Sequence, residues 1–565
     1  MSKFDNTTLA WSQYEAGRQY RLSAGMYDAS AENERFYRGD QWNGVNTQGL
    51  GTPVFNIIRR VTDYMISSIM AHRITVSYTD EQNPYTPEGE REHIAHSVEL
   101  LGRYAAYRFN RSETDVMLRD SLLDAAISGD AVFYTWWDAQ IRTGQPYSGD
   151  FRTVLIDPLN LTVADNTLRD IQRQDYVILR GRTSVSRLKA EAAQAGADEE
   201  TLKLIIPDSP DEGSDEGDAD QSVSRADFVI KFYRSAAGSV CWEKCTRAAV
   251  IRRAETSMKL YPLVHYCWTR VKNRFNGYPL ITPMKGNQKY INKAYAMAMK
   301  HMTDTAFSKV IYDKKLIPEW SNEVGQAIGV MAGGDVSNAV HIVGCGEMEG
   351  GFTDILDSTI RNTKELYGAT DAALGETSAT NTSAILALQE SSEIPLENIR
   401  INLYGAVEAL AAVWAEFICA YYTDGRLVSY ASDEGMRCAA ADFKRLSDRI
   451  ISAHIDVGEA TRFSKIAVMA TLDKLLSGGY ITIAQYLRRL PDGVIPERDA
   501  LIAELAGASN KEDKITPSET SSIKEDNTAL SDTNNGEEDK IAPSDISETE
   551  NHNFTSAETE KEINV

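Results

Sequence analysis

The chain has 565 residues, 42% of them hydrophobic and 9% aromatic, which is enough for roughly two to four domains with real cores. Its net charge of −23 argues against a protein that clamps DNA over its whole surface, because sequence-independent DNA affinity comes from Lys and Arg. The charge is uneven: residues 509–565 hold 15 acidic residues and 5 Lys, or −10, which leaves −13 for the rest. The body is mildly acidic and the tail strongly acidic.

The cysteines and the apolar stretches indicate the cellular compartment in which the protein folds. The closest of the six cysteines, Cys241 and Cys245, have no second Cys pair or His cluster to complete a zinc site. We expect all six to be reduced, buried thiols. The N-terminus has no signal-peptide core, and no stretch holds about 18 consecutive apolar residues. The sequence therefore predicts neither secretion nor a membrane span.

The first part of the chain alternates between helical and strand patterns. Residues 14–38 read as a helix, and Pro53 opens a second one with Phe55, Ile58, Val61, Met65 and Ile69 on one face. A strand at 74–80 precedes helices at 89–109 and 112–128. Strands follow at AVFYTWWDA, TVLID and DYVILRGR, then a short helix at 186–196 and further strands at ADFVIKFYRS, SVCWEKCT and LYPLVHYCWTR.

An acidic segment interrupts these strands. Residues 207–220 contain seven acidic residues and no basic one, so they cannot bury enough apolar surface to order themselves. We predict an exposed loop. A cation-binding loop is the alternative, but the spacing lacks the order of an EF-hand.

A long helix at 277–302 is the most distinctive stretch. Its apolar positions are Met284, Ile291, Tyr295, Ala298 and Met302, and its basic positions are Lys285, Lys289, Lys293 and Lys300. Both sets recur at helical spacing, which predicts one apolar and one basic face. An ordinary surface helix with solvated lysines would show the same pattern.

The C-terminal half reads as helices around small insertions. Residues 303–351 resemble a small α+β insertion with glycine-rich turns, and 352–367 are helical. The loop 368–382, GATDAALGETSATNT, leads into a long helix that Pro395 should kink. A strand pair formed by GRLVSY and the region of Asp442 follows, then helical residues 458–506 and a tail of disordered composition.

Enzyme signatures are missing from the sequence. It has no Walker A loop, no H-E-x-x-H and no G-x-S-x-G. His93 and His96, the one close histidine pair, lie on a charged helix where we expect them at the surface. We predict no catalytic residues, no metal and no cofactor.

Five stretches carry a family likeness through their order and spacing: RFYRGDQW followed by PVFNIIRRVTDYMIS, LIDPLNLTVAD, FNGYPLITPMKGNQKYINKAYAM, the loop that enters the kinked helix, and DVGEATRFSKIA with LLSGGYITIAQYLRRLPDGVIPERDALI. With these stretches, residues from about 14 to 506 resemble the tailed-bacteriophage portal proteins, closest to the short-tailed-phage type. No long heptad run suggests the extended C-terminal barrel that some of these proteins carry.

The resemblance implies an α+β portal-type subunit with a defined domain order. It places a mixed wing at 1–276, stem helices at 277–302 and 352–367, and a small α+β clip at 303–351. It places a tunnel loop at 368–382, with Thr370, Gly375, Thr377 and Asn381 as candidate residues. The kinked helix and returning strands would be 383–457, a helical crown 458–506, and a disordered acidic tail 507–565.

The resemblance also implies a function and partners. Such subunits form a homo-oligomeric ring, usually a dodecamer, at one capsid vertex of the virion, and they assemble in the host bacterial cytoplasm. The ring passes double-stranded DNA without sequence specificity and contacts capsid and scaffolding proteins, the large terminase and tail adaptors, but no membrane. Ring symmetry would multiply Lys285, Lys289, Lys293 and Lys300 into rings facing DNA phosphates, if they face the channel. The apolar face of the same helix would pack against a neighbouring subunit.

Two other functions stay open at this point. One is a DNA-processing enzyme of the packaging apparatus, such as a terminase, whose carboxylate motifs are absent. The other is a head-to-tail adaptor, a class with usually far shorter chains.

Overall fold

The computed structural model describes residues 7–71, 74–208, 224–305, 309–321, 327–331, 339–343, 350–370, 393–422, 425–432, 435–440, 442–457, 462–490 and 501–502. The chain divides into two compact units, Met1–Lys474 and Leu475–Val565. Predictions for the acidic loop beyond residue 208, for 371–392 and for the acidic tail lie outside the described residues.

The described helices alternate with strands along the chain. They are α1 (Leu9–Ser23), α2 (Met26–Arg38), α3 (Ile57–Ile69), α4 (Glu88–Arg111), α5 (Thr114–Ser128), α6 (Val185–Gln194), α7 (Glu199–Leu204), α8 (Ile281–Thr305), α9 (Gly350–Leu366), α10 (Glu397–Tyr421), α11 (Arg462–Ser477) and α12 (Ile483–Arg489). A short 3-10 turn, Ile394–Leu396, precedes α10 and contains Pro395, whose ring removes a backbone donor. Residues 383–392, the start of the predicted kinked helix, lie outside the described residues, so the kink stays a prediction.

The strands pair antiparallel throughout. They are β1 (Ile74–Asp80), β2 (Asp130–Arg142), β3 (Ser148–Ile156), β4 (Leu161–Val163), β5 (Tyr176–Ser184), β6 (Arg225–Arg234), β7 (Val240–Cys245), β8 (Val250–Glu255), β9 (Leu263–Cys267), β10 (Lys309–Tyr312), β11 (Val340–Val343), β12 (Leu427–Ser432), β13 (Gly435–Ala440) and β14 (Ile451–Val457). One sheet has five strands in the order β4-β5-β6-β7-β8, another has the order β3-β2-β9, and three more are the pairs β1-β14, β10-β11 and β12-β13. The predicted α+β class is confirmed.

Helix α10 lies at the centre of the largest core. Its buried side chains include Leu403, Leu410, Trp414 and Ile418, which pack with residues of α4, α5 and the β2–β3 hairpin. Among the described residues, one helical stretch, Ile394–Tyr421, has the length and composition to cross a membrane, and 61% of its apolar window is buried inside the protein. The core of the protein accounts for this apolarity.

Strands β1 and β14 join distant parts of the chain. Ile74 pairs with Val457 and Asp80 with Ile451 in an unbroken register. Beside this ladder, the Arg449 guanidinium lies 2.6 Å from the Asp80 carboxylate. Strand β1 matches its prediction, whereas β14 was not predicted.

Other differences from the sequence predictions have local causes. The predicted helix 14–38 is two helices, because Gly25 adopts a left-handed φ of 65° between them. The partner of β12 is β13, so the region of Asp442 is not the second strand; it begins a 3-10 turn. Of the five described cysteines, Cys438 is exposed, contrary to expectation, and the other four are buried free thiols.

The second unit is described over a short stretch. Thr482 caps the start of helix α12. Its side chain accepts a hydrogen bond from the backbone N–H of Gln485, and the Gln485 side chain accepts one from the Thr482 backbone N–H. This reciprocal capping satisfies two donors at the helix start. Within the predicted helical region 458–506, the structure describes the helices α11 and α12, with a turn at residues 478–481 between them.

The α5 carboxylate Asp124 should make stability depend on pH. Burial, then the charges of Asp157, Asp120 and Glu34, raise its pKa to about 7. The native protein therefore holds this proton more tightly than the unfolded chain, so stability falls as pH rises from about 4 to 7. We expect Asp124→Asn to raise the free energy of unfolding by about 2 kcal/mol at pH 8 and to change it little at pH 4.

Chemical denaturation at the two pH values measures this effect. The control is Asp357→Asn, which removes an exposed carboxylate from α9 and should leave both values unchanged. A gain from Asp124→Asn of the same size at both pH values would contradict the assignment.

Candidate nucleic-acid interface

The start of α8 is fixed by a buried carboxylate. Asp130 Oδ1 accepts hydrogen bonds from the Gly277 backbone N–H at 2.8 Å and lies 2.9 Å from His265 Nε2. Its Oδ2 accepts one from Asn276 Nδ2 at 2.9 Å. Asp130 is 1% exposed, so these partners replace water. The contacts hold the chain that leads into α8 against the start of β2.

Glycine is required where the two segments meet. A Cβ on Gly277 would lie 2.3 Å from the Cβ of Cys267 and 2.5 Å from the carbonyl oxygen of Gly129. Gly129 has a φ of +97°, and a Cβ there would lie 2.8 Å from the Gly277 carbonyl oxygen. The two backbones touch with no room for a side chain, which sets the position of α8.

A buried polar network holds the middle of α8. Gln288 Oε1 accepts a hydrogen bond from the Ile57 N–H at 3.0 Å, and its Nε2 donates to the Phe55 carbonyl at 2.7 Å and to Asn292 Oδ1 at 2.9 Å. Asn292 Nδ2 donates in turn to Gln41 Oε1 at 2.6 Å. The network caps the first turn of α3 from outside, since amides at a helix start have no partner within the helix.

Helix α9 returns along α8 in the antiparallel direction. Asn287 Nδ2 donates to Thr363 Oγ1 at 3.1 Å, and further along α8 Ile291 and Ala294 pack with Leu356. Strands β10 and β11 lie between the two helices in sequence and pair with each other. We call α8, α9 and the segment between them the helical hairpin.

The structure corrects the prediction for the apolar face of α8. Met284 and Ile291 are fully buried within the subunit, so they cannot pack against a neighbouring subunit. Tyr295 stacks on Phe55 with ring centroids 4.0 Å apart, and Ala298 is buried. Met302, in the last turn of α8, is 57% exposed.

Two of the four predicted lysines pair with a helix that the sequence did not connect to them. Lys285 Nζ lies 2.5 Å and Lys289 Nζ 3.1 Å from the two carboxylate oxygens of Glu32 on α2. The hydrogen bond from Lys285 holds the pKa of Glu32 below its ordinary value against the opposing effect of burial. The Lys285 side chain is largely buried, which makes it a packing and pairing residue rather than a surface cation.

The remaining lysines lie on the exposed side of α8. Lys300 Nζ lies 3.1 Å from Asp304 Oδ2, a solvent-exposed pair one turn away. Lys293 is exposed, and no carboxylate of the described residues pairs with it. Lys289, Lys293 and Lys300 fall on one helix face, together with the exposed Tyr290 and Met297. The predicted basic face exists, but Glu32 and Asp304 offset part of its charge.

Three of the four tunnel-loop candidates lie outside the residues that the structure describes. Thr370 is described, just after α9, and is half-buried. Gly375, Thr377 and Asn381 lie outside the described residues. Among the residues that the structure describes, no group of three or more His, Cys, Asp or Glu side chains could hold a metal ion.

The described fold is thus an α+β body that carries a helical hairpin, with a partly neutralised basic face on the first helix. Residues 194–437 match the family described as Phage P22-like portal protein. This match confirms the resemblance to the tailed-phage portal proteins, and the short-tailed type is consistent with it. It spans the whole helical hairpin and α10, but not the N-terminal helices or β14. No curated protein matches the chain.

Proposed function

We propose that this chain is the subunit of a portal ring at one capsid vertex, through which the genome is packaged and ejected. The match to the portal family over the helical hairpin and α10 is the observation that carries the proposal. That family is structural, and it implies a virion component that assembles as a ring with capsid and DNA. The dodecameric ring, the terminase, scaffold and tail-adaptor contacts, and assembly in the host cytoplasm are part of the proposal.

The helical hairpin supports the domain assignment within this proposal. Helices α8 and α9 are the stem, and the segment that contains β10 and β11 is the clip that docks the packaging motor and later the tail. Residues 1–276 and the strands that follow α10 form the wing, residues 368–382 the tunnel loop and 458–506 the crown. Two packed helices with a small strand pair between them suit a rigid channel wall with a docking element.

The ring is tested by the mass of the purified protein in solution and by negative-stain electron microscopy. We expect rings with a central hole, alone or after coexpression with the capsid protein. A chain that stays monomeric under both conditions would overturn the proposal.

Charge reversal on α8 tests the channel role of the lysines. We expect Lys289→Glu with Lys293→Glu to lower DNA packaging on the order of tenfold, because the change replaces weak phosphate contacts in every subunit by repulsion. Lys285 is left intact, since its side chain is largely buried in the pair with Glu32, whereas that of Lys289 is exposed. Packaged DNA per capsid is the measurement.

A matched control carries the same charge change elsewhere. Arg187→Glu with Lys189→Glu alters two exposed cations on α6, outside the helical hairpin. Packaging by this variant should stay at the normal level. Normal packaging by the α8 variant, with rings intact, would remove these lysines from the channel.

A further inference from the structure

A second basic feature lies away from the helical hairpin. A pocket of about 410 Å³ opens between the last turns of α4, the β2–β3 hairpin and β12. Four arginines line it, Arg108, Arg111, Arg142 and Arg426, and among the described residues that line it there is one carboxylate, Asp150. The described residues of the lining therefore have a formal charge of +3, in a chain whose net charge is −23.

Two of the arginines form the buried rear of the pocket. Arg108 Nη1 donates to Asp150 Oδ2 at 2.6 Å, and its guanidinium carbon lies 3.8 Å from the centre of the Phe151 ring. Arg426 Nη2 donates to the Gly149 carbonyl at 3.0 Å, and its guanidinium stacks 3.9 Å from the centre of the Tyr422 ring. Both are fixed, and they share a single carboxylate whose Oδ1 also accepts from the Tyr422 hydroxyl at 2.8 Å.

The other two arginines lie at the exposed edge. Arg111 Nη1 donates to the Tyr107 hydroxyl at 2.8 Å, which leaves its charge uncompensated. Arg142, on β2, is exposed. Among the described residues, neither has a carboxylate partner. Arg111 and Arg142 thus present two full positive charges to solvent. Beside them, Asp150 offsets only part of the charge of the two buried arginines.

Helix electrostatics explains half of this arrangement. Arg108 and Arg111 occupy the last turn of α4, where cations are favoured by the helix dipole. Arg142 and Arg426 come from two other segments, where no helix dipole favours a cation. Four guanidinium groups around one small volume repel one another, so an anion placed among them would relieve that repulsion.

The pocket is also held in shape. Gln145 on the β2–β3 turn donates from Nε2 to the Leu427 carbonyl and accepts from the Leu427 N–H, both at 2.9 Å. This paired contact joins the hairpin turn to β12 and keeps Arg142 and Arg426 on the same cavity. A site formed in advance loses less entropy when a ligand binds.

We propose that this pocket binds a phosphate group, with Arg111 and Arg142 as its direct donors and Arg108 and Arg426 as the fixed charge behind them. Guanidinium groups suit phosphate because their paired N–H donors match two of its oxygens. The volume is in the range of small-molecule sites and exceeds one phosphate, so either a free phosphate compound or a phosphodiester of nucleic acid fits the chemistry. None of the proposed channel lysines lines this pocket.

Calorimetric titration of the full chain with inorganic pyrophosphate at low salt tests the proposal. We expect saturable binding by the unaltered protein and at least roughly tenfold weaker binding by Arg111→Ala with Arg142→Ala, since each charge-assisted hydrogen bond is a strong one. Arg187→Ala, an exposed arginine on α6, is the matched control and should bind as the unaltered protein does. Arg142→Glu, a single exposed change, checks the result if the double variant is unstable, and it should abolish binding.

Competition separates the two sources of phosphate. If a short oligothymidylate displaces pyrophosphate from the unaltered protein, the ligand is a nucleic-acid phosphodiester. If neither the oligonucleotide nor a peptide of residues 537–550 displaces it, the ligand is a free phosphate compound. Absence of pyrophosphate binding, or equal binding by the double variant, would overturn the proposal. Displacement by a peptide of residues 537–550 but not by the oligonucleotide would also overturn it, because the pocket would then be a site for protein carboxylates.

Discussion

Gly277→Ala should lower the free energy of unfolding by about 3 kcal/mol, the cost of forcing a methyl group into a closed backbone contact. The new Cβ would lie 2.5 Å from the Gly129 carbonyl oxygen and 2.3 Å from the Cys267 Cβ. Neither neighbour is the end of a flexible side chain, so the backbone before α8 has to move. The movement would also disturb the hydrogen bond from the Gly277 N–H to Asp130.

Helix α8 itself supplies a control, a glycine whose replacement by alanine should stabilise the protein instead of destabilising it. Gly286 lies inside α8 on its exposed side, and a Cβ there would meet nothing within 4 Å. Gly286→Ala should therefore stabilise the protein by about 0.5–1 kcal/mol through helix propensity alone. Thermal and chemical denaturation of both variants measure the pair. Equal stabilities for the two variants would show that the contact between Gly129 and Gly277 does not constrain α8.

The second large effect is expected from Gln288→Leu, which keeps the volume of the side chain but removes its polar atoms. The Ile57 N–H, the Phe55 carbonyl and Asn292 Oδ1 would each lose a partner inside the protein. An unsatisfied buried group costs about 1–3 kcal/mol, so we expect a total loss of about 4 kcal/mol after partial relaxation. Because Gln288 joins α8 to α3, the loss should also loosen the packing of the helical hairpin on the body.

Chemical denaturation gives the loss directly, and hydrogen exchange at the first turn of α3 locates it. Gln194→Leu is the control, since it makes the same replacement at an exposed position at the end of α6. A loss below about 0.5 kcal/mol for Gln288→Leu would mean that water or another side chain replaces the amide.

The regular elements were predictable where periodicity was strong. Ile58, Val61, Met65 and Ile69 recur at helical spacing, and all four are buried on α3 as expected. Strand β8, with the sequence VIRRAE, was missed because its two arginines break the apolar alternation, and hydrogen bonding to β7 decides its conformation instead. Such a strand is stabilised by hydrogen bonds to its neighbour and cannot be recognised from its own hydrophobic pattern.

The candidate interface was predictable only in part. Helical spacing correctly placed Lys289, Lys293 and Lys300 on one exposed face. It could not reveal that Glu32, some 250 residues earlier, pairs with Lys285 and Lys289, because that contact depends on how α2 packs against α8. The arginine pocket gave no sequence signal at all, since its members come from α4, β2 and the segment before β12.

The pairing of β1 with β14 has a consequence for synthesis of the chain. Its partners are more than 370 residues apart, so at about 5–20 residues per second β1 leaves the ribosome on the order of 20–70 s before β14 exists. During that interval the backbone edge of β1 that pairs with β14 lacks its partner strand, and such an open edge can pair with other chains. The nascent protein therefore depends on early shielding of this segment, either by α4, which packs against β1 and is made soon after it, or by a chaperone.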